Sequence, residues 1–272
     1  MSRFANRQTF TLAAAWLAAL NARAPLLAIG PLLPLVISDL GMSFTVAGLL
    51  SGLPLLLMGA FGLPGGWLAD RFGARLVMIW CLAGVTFGGI ARAFAPNEPW
   101  LLMGTVLLGV SIGTLQPALP RTARDTLPHR TPLATAIYFN GLVVGGAAGL
   151  ALTPLLVDVL GGWRGVLLGW ASVGAIATLG WIAVRPARHV ELHPGRLRVV
   201  DVVQAICLPG MAALSLAMGT QSAIFYTFSS WVPTYLVGRG WSLPSATFPV
   251  AMLPVTSIVA STFSTPLEAA LG

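Results

Sequence analysis

Long apolar runs separated by short polar segments make up almost the whole sequence. Most of these runs approach or exceed the roughly 20 apolar residues that an α-helix needs to cross a bilayer. They predict membrane helices over approximately residues 10–37, 44–68, 76–94, 100–119, 133–156, 164–184, 202–236 and 243–266. The pattern therefore predicts an all-α, polytopic membrane protein, a helical bundle with about eight transmembrane helices.

The composition excludes an ordinary soluble domain. Only 8% of the residues are charged, whereas soluble domains carry about 25%. The formal net charge of +7 comes entirely from arginine, because the chain has no lysine. A basic balance can indicate nucleic-acid binding. These arginines, however, cluster in the polar segments between apolar runs, so membrane topology explains them better and we expect no nucleic-acid partner.

The positions of the arginines predict the orientation of the chain. With a cytoplasmic N-terminus, most of them fall in cytoplasmic loops. The exceptions are Arg92, Arg164 and Arg239, near the outer side, and Arg23, within the first helix. Such a bias is typical of the cytoplasmic side of membrane proteins. We therefore expect an integral protein of a bacterial inner (plasma) membrane, in contact with the lipid bilayer.

The most informative polar segment reads Gly-Trp-Leu-Ala-Asp-Arg-Phe-Gly-Ala-Arg and joins the second and third predicted helices. Gly66 and Gly73 allow a sharp turn and a close approach of the helix ends. Asp70 is suited to bind a backbone amide or an arginine at a helix end. Arg71 and Arg75 favour the cytoplasmic side. The simpler alternative is a positive-inside loop with one incidental acid.

This ten-residue pattern resembles the loop between helices 2 and 3 of the major facilitator superfamily, with Ala74 where that family usually has a basic residue. The resemblance implies two six-helix halves around a central cavity and secondary transport by alternating access. It also implies a gating role for the motif, in which the acid holds the cytoplasmic side closed against the second half.

Three further segments narrow the resemblance to the cyanate and nitroimidazole permeases within that superfamily. They are residues 21–34 in the first predicted helix, residues 221–234 in the seventh and, more loosely, residues 113–120 in the fourth. This resemblance implies a permease for a small solute, such as a small anion.

The predicted helices divide the chain unevenly. Residues 1–185 form an expected N-terminal six-helix bundle, residues 186–201 an arginine-rich cytoplasmic linker, and residues 202–272 a partial C-terminal bundle with two helices. We therefore expect the chain to be C-terminally truncated relative to the twelve-helix family. The alternative function is then a truncated, non-transporting membrane protein, either inert or associated with other subunits.

Arg23 is the sharpest candidate for a functional residue. A charge at the centre of a membrane helix costs at least about 2.5 kcal/mol, so such a residue usually faces a cavity and has a partner. No aspartate or glutamate of the sequence falls at a comparable depth. A small oxyanion fits the planar guanidinium in a bidentate manner. The alternative is a pairing with helix carbonyls or with an acid from another segment.

Other polar residues within the apolar runs are candidates for the wall of the same cavity. They are Asn21, Gln116, Asn140, Gln221, Tyr226 and Trp231. Asn21 lies about 200° around an ideal helix from Arg23, so both side chains face one ligand only if the following proline distorts the helix. For each candidate the alternative is an interhelical hydrogen bond or simple packing.

Gly141, Gly145 and Gly149 recur at four-residue spacing on one face of the fifth predicted helix. This spacing lets helix backbones approach closely. We expect it to serve helix packing, or to form a surface on which the two halves rock.

Several kinds of chemistry leave no pattern in the sequence. No metal-ligand spacing, nucleophilic constellation, phosphate-binding loop or cofactor motif is visible, so we expect neither an enzyme nor a cofactor. Proton coupling usually needs an acid or histidine within the membrane, and the sequence offers none in its helices. A drug or metabolite efflux permease remains the rival within transport.

Overall fold

The structure is a computed structural model that describes residues 2–184, 208–254 and 256. Within these ranges all regular secondary structure is helical, which confirms the predicted all-α fold. The predicted linker, residues 186–201, lies outside the described residues, as does Cys207. The proposed division into two bundles therefore stays a prediction.

The helices follow one another with short connections. They are α1 (Ser2–Leu27), α2 (Ile29–Leu40), α3 (Phe44–Phe72), α4 (Ala74–Ala93), α5 (Glu98–Leu115), α6 (Ala118–Thr126), α7 (Thr131–Ala151), α8 (Thr153–Val159), α9 (Trp163–Ala183), α10 (Pro209–Gly238) and α11 (Leu243–Ala251), with a 3₁₀ turn at Pro128–Arg130.

Six helical segments of the described residues are long and apolar enough to cross a membrane. They are Gln8–Leu40, Phe44–Phe72, Ala74–Ala93, Glu98–Thr126, Pro128–Ala151 and Trp163–Ala183. These segments correspond to the first six predicted helices. The seventh corresponds to α10, and the eighth begins as α11, with most of its second half outside the described residues.

The first membrane segment is broken at Ala28, between α1 and α2. Pro25 and Pro31 have no N–H group, so the carbonyl oxygens of Asn21 and Leu27, four residues earlier, lose their usual intrahelical partners. The predicted single helix is therefore two helices that share one span. The break divides the segment just after the position of the candidate residue Arg23.

Similar breaks divide the fourth and fifth predicted helices. Pro117 separates α5 from α6, and Pro154 lies in the first turn of α8, directly after α7. Because α6 continues to Thr126, Arg121 and Arg124 lie on a helix. The prediction that these two arginines belong to a loop was wrong, since a proline that ends one helix can also begin the next.

The first membrane segment, Gln8–Leu40, is the most buried of the six. Its α1 part packs closely against α7. Gly141 and Gly145 face the carbonyl groups of Trp16 and Leu20 directly. A Cβ atom at Gly149 would lie 2.6 Å from the carbonyl oxygen of Ala24. The three glycines therefore pack α7 against α1, which holds these two helices together as one unit.

We expect Gly145→Ala to lower the thermal stability of the protein, because the new methyl group meets the Leu20 backbone, which cannot move aside. Overpacking of this kind costs about 1–3 kcal/mol. Gly180→Ala is the matched control, since a Cβ atom there meets no atom within 4 Å. Thermal unfolding in detergent measures both. Equal melting temperatures for the two variants would contradict the close α1–α7 contact.

Candidate functional site

A cavity of about 1050 Å³ lies among α1, α3, α7 and α10. Its wall is mostly apolar, with a few hydroxyl and amide groups. The lining residues that bear on its chemistry are Arg23, Ser51, Leu55, Leu56, Met58, Phe139, Leu142, Gln221, Ser222, Phe225, Tyr226, Thr227 and Trp231. Arg23 is the one charged side chain on this wall in the part of the chain that the structure describes.

Arg23 and Tyr226 meet inside the cavity although 203 residues separate them in sequence. Nη1 of Arg23 donates a hydrogen bond to the hydroxyl oxygen of Tyr226. The guanidinium carbon also lies 5.9 Å from the centre of the Tyr226 ring. Tyr226 is buried, whereas Arg23 is partly exposed. The arrangement links α1 to α10 and leaves part of the guanidinium open to the cavity.

The structure brings some of the sequence candidates together and places others elsewhere. Arg23, Gln221, Tyr226 and Trp231 all line the cavity. Asn21 is fully buried on another face of α1, where a Cβ atom at Gly174 of α9 would lie 3.0 Å from its Nδ2 atom. Pro25 breaks the segment at Ala28 without turning Asn21 toward the cavity.

Asn140 and Gln116 also lie outside the cavity wall. Asn140 accepts a hydrogen bond of 2.9 Å from Nε1 of Trp16, which is the interhelical alternative. Gln116 follows the last residue of α5, at the break before α6. The geometry gives neither residue a position from which to contact a solute bound at Arg23.

The α3 wall of the cavity was missed by sequence reasoning. Gly48, Ser51, Leu55 and Met58 recur at three- or four-residue spacing and line the cavity. The hydroxyl oxygen of Ser51 is buried and has no hydrogen-bond partner among the described residues. The helical spacing of these residues was a signal, but a weak one, because a mainly apolar helix face contacts lipid equally well.

The cavity is closed at one end by contacts between α2 and α10. The backbone of Gly30 faces the carbonyl oxygen of Ser229 without room for a side chain. Nearby, the rings of Phe44 and Trp231 lie 6.1 Å apart. Because α2 ends beside Asp39, we call this the Asp39 end. Towards the other end, residues 210–224 of α10 are exposed.

The opposite end, which we call the Asp70 end, carries the ten-residue motif. The motif is not the loop that the sequence predicted, because α3 continues through Phe72 and only Gly73 separates it from α4. Gly73 has φ +84°, which favours glycine. The close approach expected at Gly66 lies instead at Gly65, where a Cβ atom would lie 2.6 Å from the Thr114 backbone.

The charged residues of the motif bind partners within the first six membrane segments. Asp70 accepts a hydrogen bond from Nη1 of Arg121 on α6. Arg75 donates from Nε and Nη2 to the carbonyl oxygens of Val184 and Ile182, at 2.5 and 2.7 Å. A cation at these carbonyls also stabilises the negative end of the α9 dipole. The motif therefore joins α3 and α4 to α6 and α9.

Arg71 makes a different kind of contact. Its guanidinium carbon lies 5.3 Å from the ring centre of Trp67 and 5.7 Å from that of Phe72. These are exposed cation–π contacts within α3, which are worth about 0.5–1 kcal/mol. Of the three charged motif residues, Arg71 is thus the one whose side-chain contacts, within the described residues, stay on its own helix.

A second polar cluster joins helix ends and one connection at the Asp39 end. Nη1 of Arg164 donates to Oδ2 of Asp39 at 2.5 Å, and Nε1 of Trp163 donates to the same oxygen at 3.2 Å. Arg164 also donates to the carbonyl of Ala95 at 3.3 Å. The cluster ties α2 to α9 and to the α4–α5 connection. Sequence reasoning placed Arg164 near this side but did not find its partners.

Arg92 is a buried cation that the sequence placed only near the outer side. It is 1% exposed, and its Nη1 donates to the carbonyl oxygen of Pro25 at 3.3 Å. Its Nε and Nη2 atoms have no partner among the described residues. Gly104 makes room for it, since a Cβ atom there would lie 2.8 Å from Cγ of Arg92. Arg92 thus binds the backbone of α1 next to the break at Ala28.

A helical membrane bundle with a solute-sized, sparsely charged cavity between distant parts of the chain is typical of membrane transport proteins. The sequence profile of the Major Facilitator Superfamily matches residues 11–271. The chain belongs to this superfamily, whose members are transporters rather than enzymes. The resemblance drawn from the ten-residue motif is therefore confirmed.

Individual relatives point in the same direction. The chain is 31% identical to the Cyanate transport protein CynX of Escherichia coli, over 82% of this chain and 57% of CynX. It is 28% identical to the 2-nitroimidazole transporter of Escherichia coli, over 78% of this chain and 53% of that protein. The chain thus spans little more than half the length of these curated relatives.

A solved structure supports the fold. A bacterial homologue of the human lysosomal transporter Spinster, in an inward-facing and unoccupied conformation, aligns with a TM-score of 0.84. The alignment covers 97% of this chain and 63% of that chain at 18% sequence identity. At this identity the likeness concerns the arrangement of the helices alone.

We expect Arg75→Met to lower the free energy of unfolding by at least about 1.5 kcal/mol, because it removes two hydrogen bonds from a charged donor to α9. Arg71→Met is the matched control and should cost about 1 kcal/mol or less, since it loses only exposed cation–π contacts. Thermal unfolding of the purified variants in detergent compares them. A larger loss for Arg71→Met would contradict the structural role of Arg75.

Proposed function

We propose that this chain forms the larger part of a secondary transporter that moves a small anion across the membrane by alternating access. The observation that carries the proposal is the position of Arg23. Its partly exposed guanidinium lies in the cavity between α1 and α10 and is bonded to an uncharged hydroxyl rather than to a carboxylate.

An anion is the solute that this position favours. A cation within the membrane is retained where it has a partner or a function, and no carboxylate lines the cavity in the described ranges. The guanidinium has five N–H donors, of which the Tyr226 hydroxyl takes one. A planar oxyanion can accept from others, and the apolar wall strengthens such a charge-assisted bond.

The names of two relatives agree with a small, flat solute. One is a cyanate transport protein and the other a 2-nitroimidazole transporter. Cyanate is an anion, whereas 2-nitroimidazole is a flat heterocycle with a polar nitro group. We propose cyanate as the first solute to test, because it carries the charge that Arg23 would recognise.

Alternating access fits the closure at one end of the cavity. The α2–α10 contact seals the Asp39 end, while residues 210–224 of α10 are exposed toward the Asp70 end. The bias of the arginines favours a cytoplasmic Asp70 end and N-terminus. In that orientation the closed Asp39 end faces outward, and export or import requires α10 to part from α2.

The gating motif has a corresponding role in this proposal. Arg75 joins α4 to α9, Asp70 joins α3 to α6, and the glycines of α7 join it to α1. We propose that these contacts help the first six membrane segments to move as one rigid body. The motion that opens the Asp39 end then falls between this body and α10. Asp70 and Arg71 are exposed and remain available for contacts in another conformation.

Two alternatives make different predictions. An efflux permease for cationic drugs would need an acid near the solute, and the positive charge of Arg23 would repel such cations. A non-transporting protein is the other alternative, because the chain spans 57% of CynX. Transport by the chain alone, and by the chain joined to the remaining part of CynX, separates these possibilities.

The test is uptake of radiolabelled cyanate into proteoliposomes that contain the chain alone or the chain joined to the remaining C-terminal part of CynX. We expect Arg23→Gln to lower uptake at least about tenfold, because one charged partner of the anion is lost. Arg239→Gln is the matched control, since Arg239 lies over Tyr235, away from the cavity.

Each result has a distinct meaning. Uptake by the fusion but not by the chain alone would support the proposed transport function. It would also show that this chain does not transport cyanate by itself. Equal uptake by Arg23→Gln and the unmodified protein would remove Arg23 from the site. No uptake by either preparation, with correctly inserted protein, would contradict cyanate as the solute.

We expect Gly30→Val to prevent closure of the Asp39 end, because a side chain at this position meets the carbonyl of Ser229. The measurement is labelling of Ser230→Cys, at a position 5% exposed, by a membrane-impermeant thiol reagent in a background without the two native cysteines. Labelling should rise several-fold with Gly30→Val. Gly59→Val is the control, since no atom lies near its Cβ position. Unchanged labelling would contradict the proposed closure.

A further inference from the structure

We infer that the Arg23 site takes monoanions with a flat apolar body, of the aromatic carboxylate class, and that it binds them more tightly than a triatomic anion. This inference rests on the proposed function, because it assumes that Arg23 binds the charged end of the solute. It goes further in naming what the rest of the cavity recognises.

The size of the cavity is the first argument. At about 1050 Å³ it lies just above the range for drug-sized ligands, about 300–1,000 Å³. A triatomic anion at Arg23 would occupy a small corner and leave the apolar wall in contact with water. A solute with an apolar body removes that wall from water, which contributes about 25 cal/mol for each Å² buried.

The wall beside Arg23 is aromatic. The ring of Tyr226 lies 5.9 Å from the guanidinium carbon, and Phe225 packs edge-on against Tyr226 with ring centres 5.3 Å apart. Phe139 of α7 also lines the cavity, and it is 59% exposed. Aromatic rings favour stacked or edge-to-face contacts with another ring. A flat ring in the solute would thus have partners on both α7 and α10.

The charge pattern selects against the other solute classes of this size. A neutral ring leaves Arg23 without an anionic partner, and burial of an unpaired charge is costly. A cation would meet the positive charge of Arg23, and within the described ranges no carboxylate on the wall would compensate. A solute with a single negative charge at one end of an apolar ring would bind the Arg23 guanidinium with its charge and contact the aromatic wall with its ring.

The experiment compares four probes by calorimetry on the purified chain in detergent. Benzoate has the charge and the ring, benzamide has the same shape without the charge, and acetate and cyanate have the charge without the ring. We expect benzoate to bind at least about tenfold more tightly than each of the other three, which corresponds to about 1.4 kcal/mol.

Two variants test which residues bind the charged end and the apolar end of the solute. Arg23→Gln should weaken benzoate about tenfold and leave benzamide unchanged, since only the charged contact is lost. Phe139→Leu should weaken benzoate several-fold and leave acetate and cyanate unchanged. Phe87→Leu is its matched control, because Phe87 is a 64% exposed aromatic side chain outside the cavity. Gel filtration and thermal unfolding verify that each variant is folded.

The outcomes separate this inference from the proposed function. Acetate or cyanate binding as tightly as benzoate, with a loss in Arg23→Gln, would overturn the aromatic class but keep an anion site. Equal binding of benzoate and benzamide, unaffected by Arg23→Gln, would overturn both. Binding of benzoate that Phe139→Leu leaves unchanged would contradict the assignment of the apolar end to this wall.

Discussion

The central constraint on this molecule is that polar groups inside a bilayer have no water with which to form hydrogen bonds. Helices satisfy the backbone within each segment, and most of the sequence obeys this rule without interruption. The interruptions therefore matter most. Just before the break at Ala28, Arg92 donates to the buried carbonyl oxygen of Pro25. Where α9 ends, Arg75 binds its last carbonyls. Arg92 and Arg75 thus bind backbone carbonyl groups, and Arg23 lies on the cavity wall.

The helical fold was predictable because hydropathy reports directly on the bilayer as a solvent. The breaks within segments were not, because proline alone does not decide them. Pro54 and Pro64 lie inside the continuous α3, whereas Pro25 and Pro117 precede or mark breaks. In a membrane, neighbouring helices and polar side chains can satisfy the backbone groups that a proline frees, so the surroundings of a proline help to decide whether the helix continues. Those surroundings depend on the tertiary arrangement, which a single sequence does not specify.

The candidate site was predictable in part for a similar reason. Arg23, Gln221 and Tyr226 stand out as polar residues in apolar helices, and the structure places all three on one cavity. Asn21 carried the same signal but faces α9, since helical rotation separates it from Arg23. The α3 wall around Ser51 had little signal, because residues facing a cavity and residues facing lipid are both apolar. Which of the two a helix face contacts is decided by its neighbours.

The contact between Arg23 and Tyr226 also bears on how the protein assembles in the membrane. Arg23 enters the bilayer with the first segment, but its hydroxyl partner lies 203 residues later in the chain. During synthesis the guanidinium must therefore stay hydrated, or remain near the lipid headgroups, until α10 has been inserted. The arrival of Tyr226 then removes this unfavourable state. The contact between Arg23 and Tyr226 therefore favours packing of α10 against α1 once α10 is in the membrane. Assembly of the protein and the shape of the solute site thus depend on the same pair of side chains.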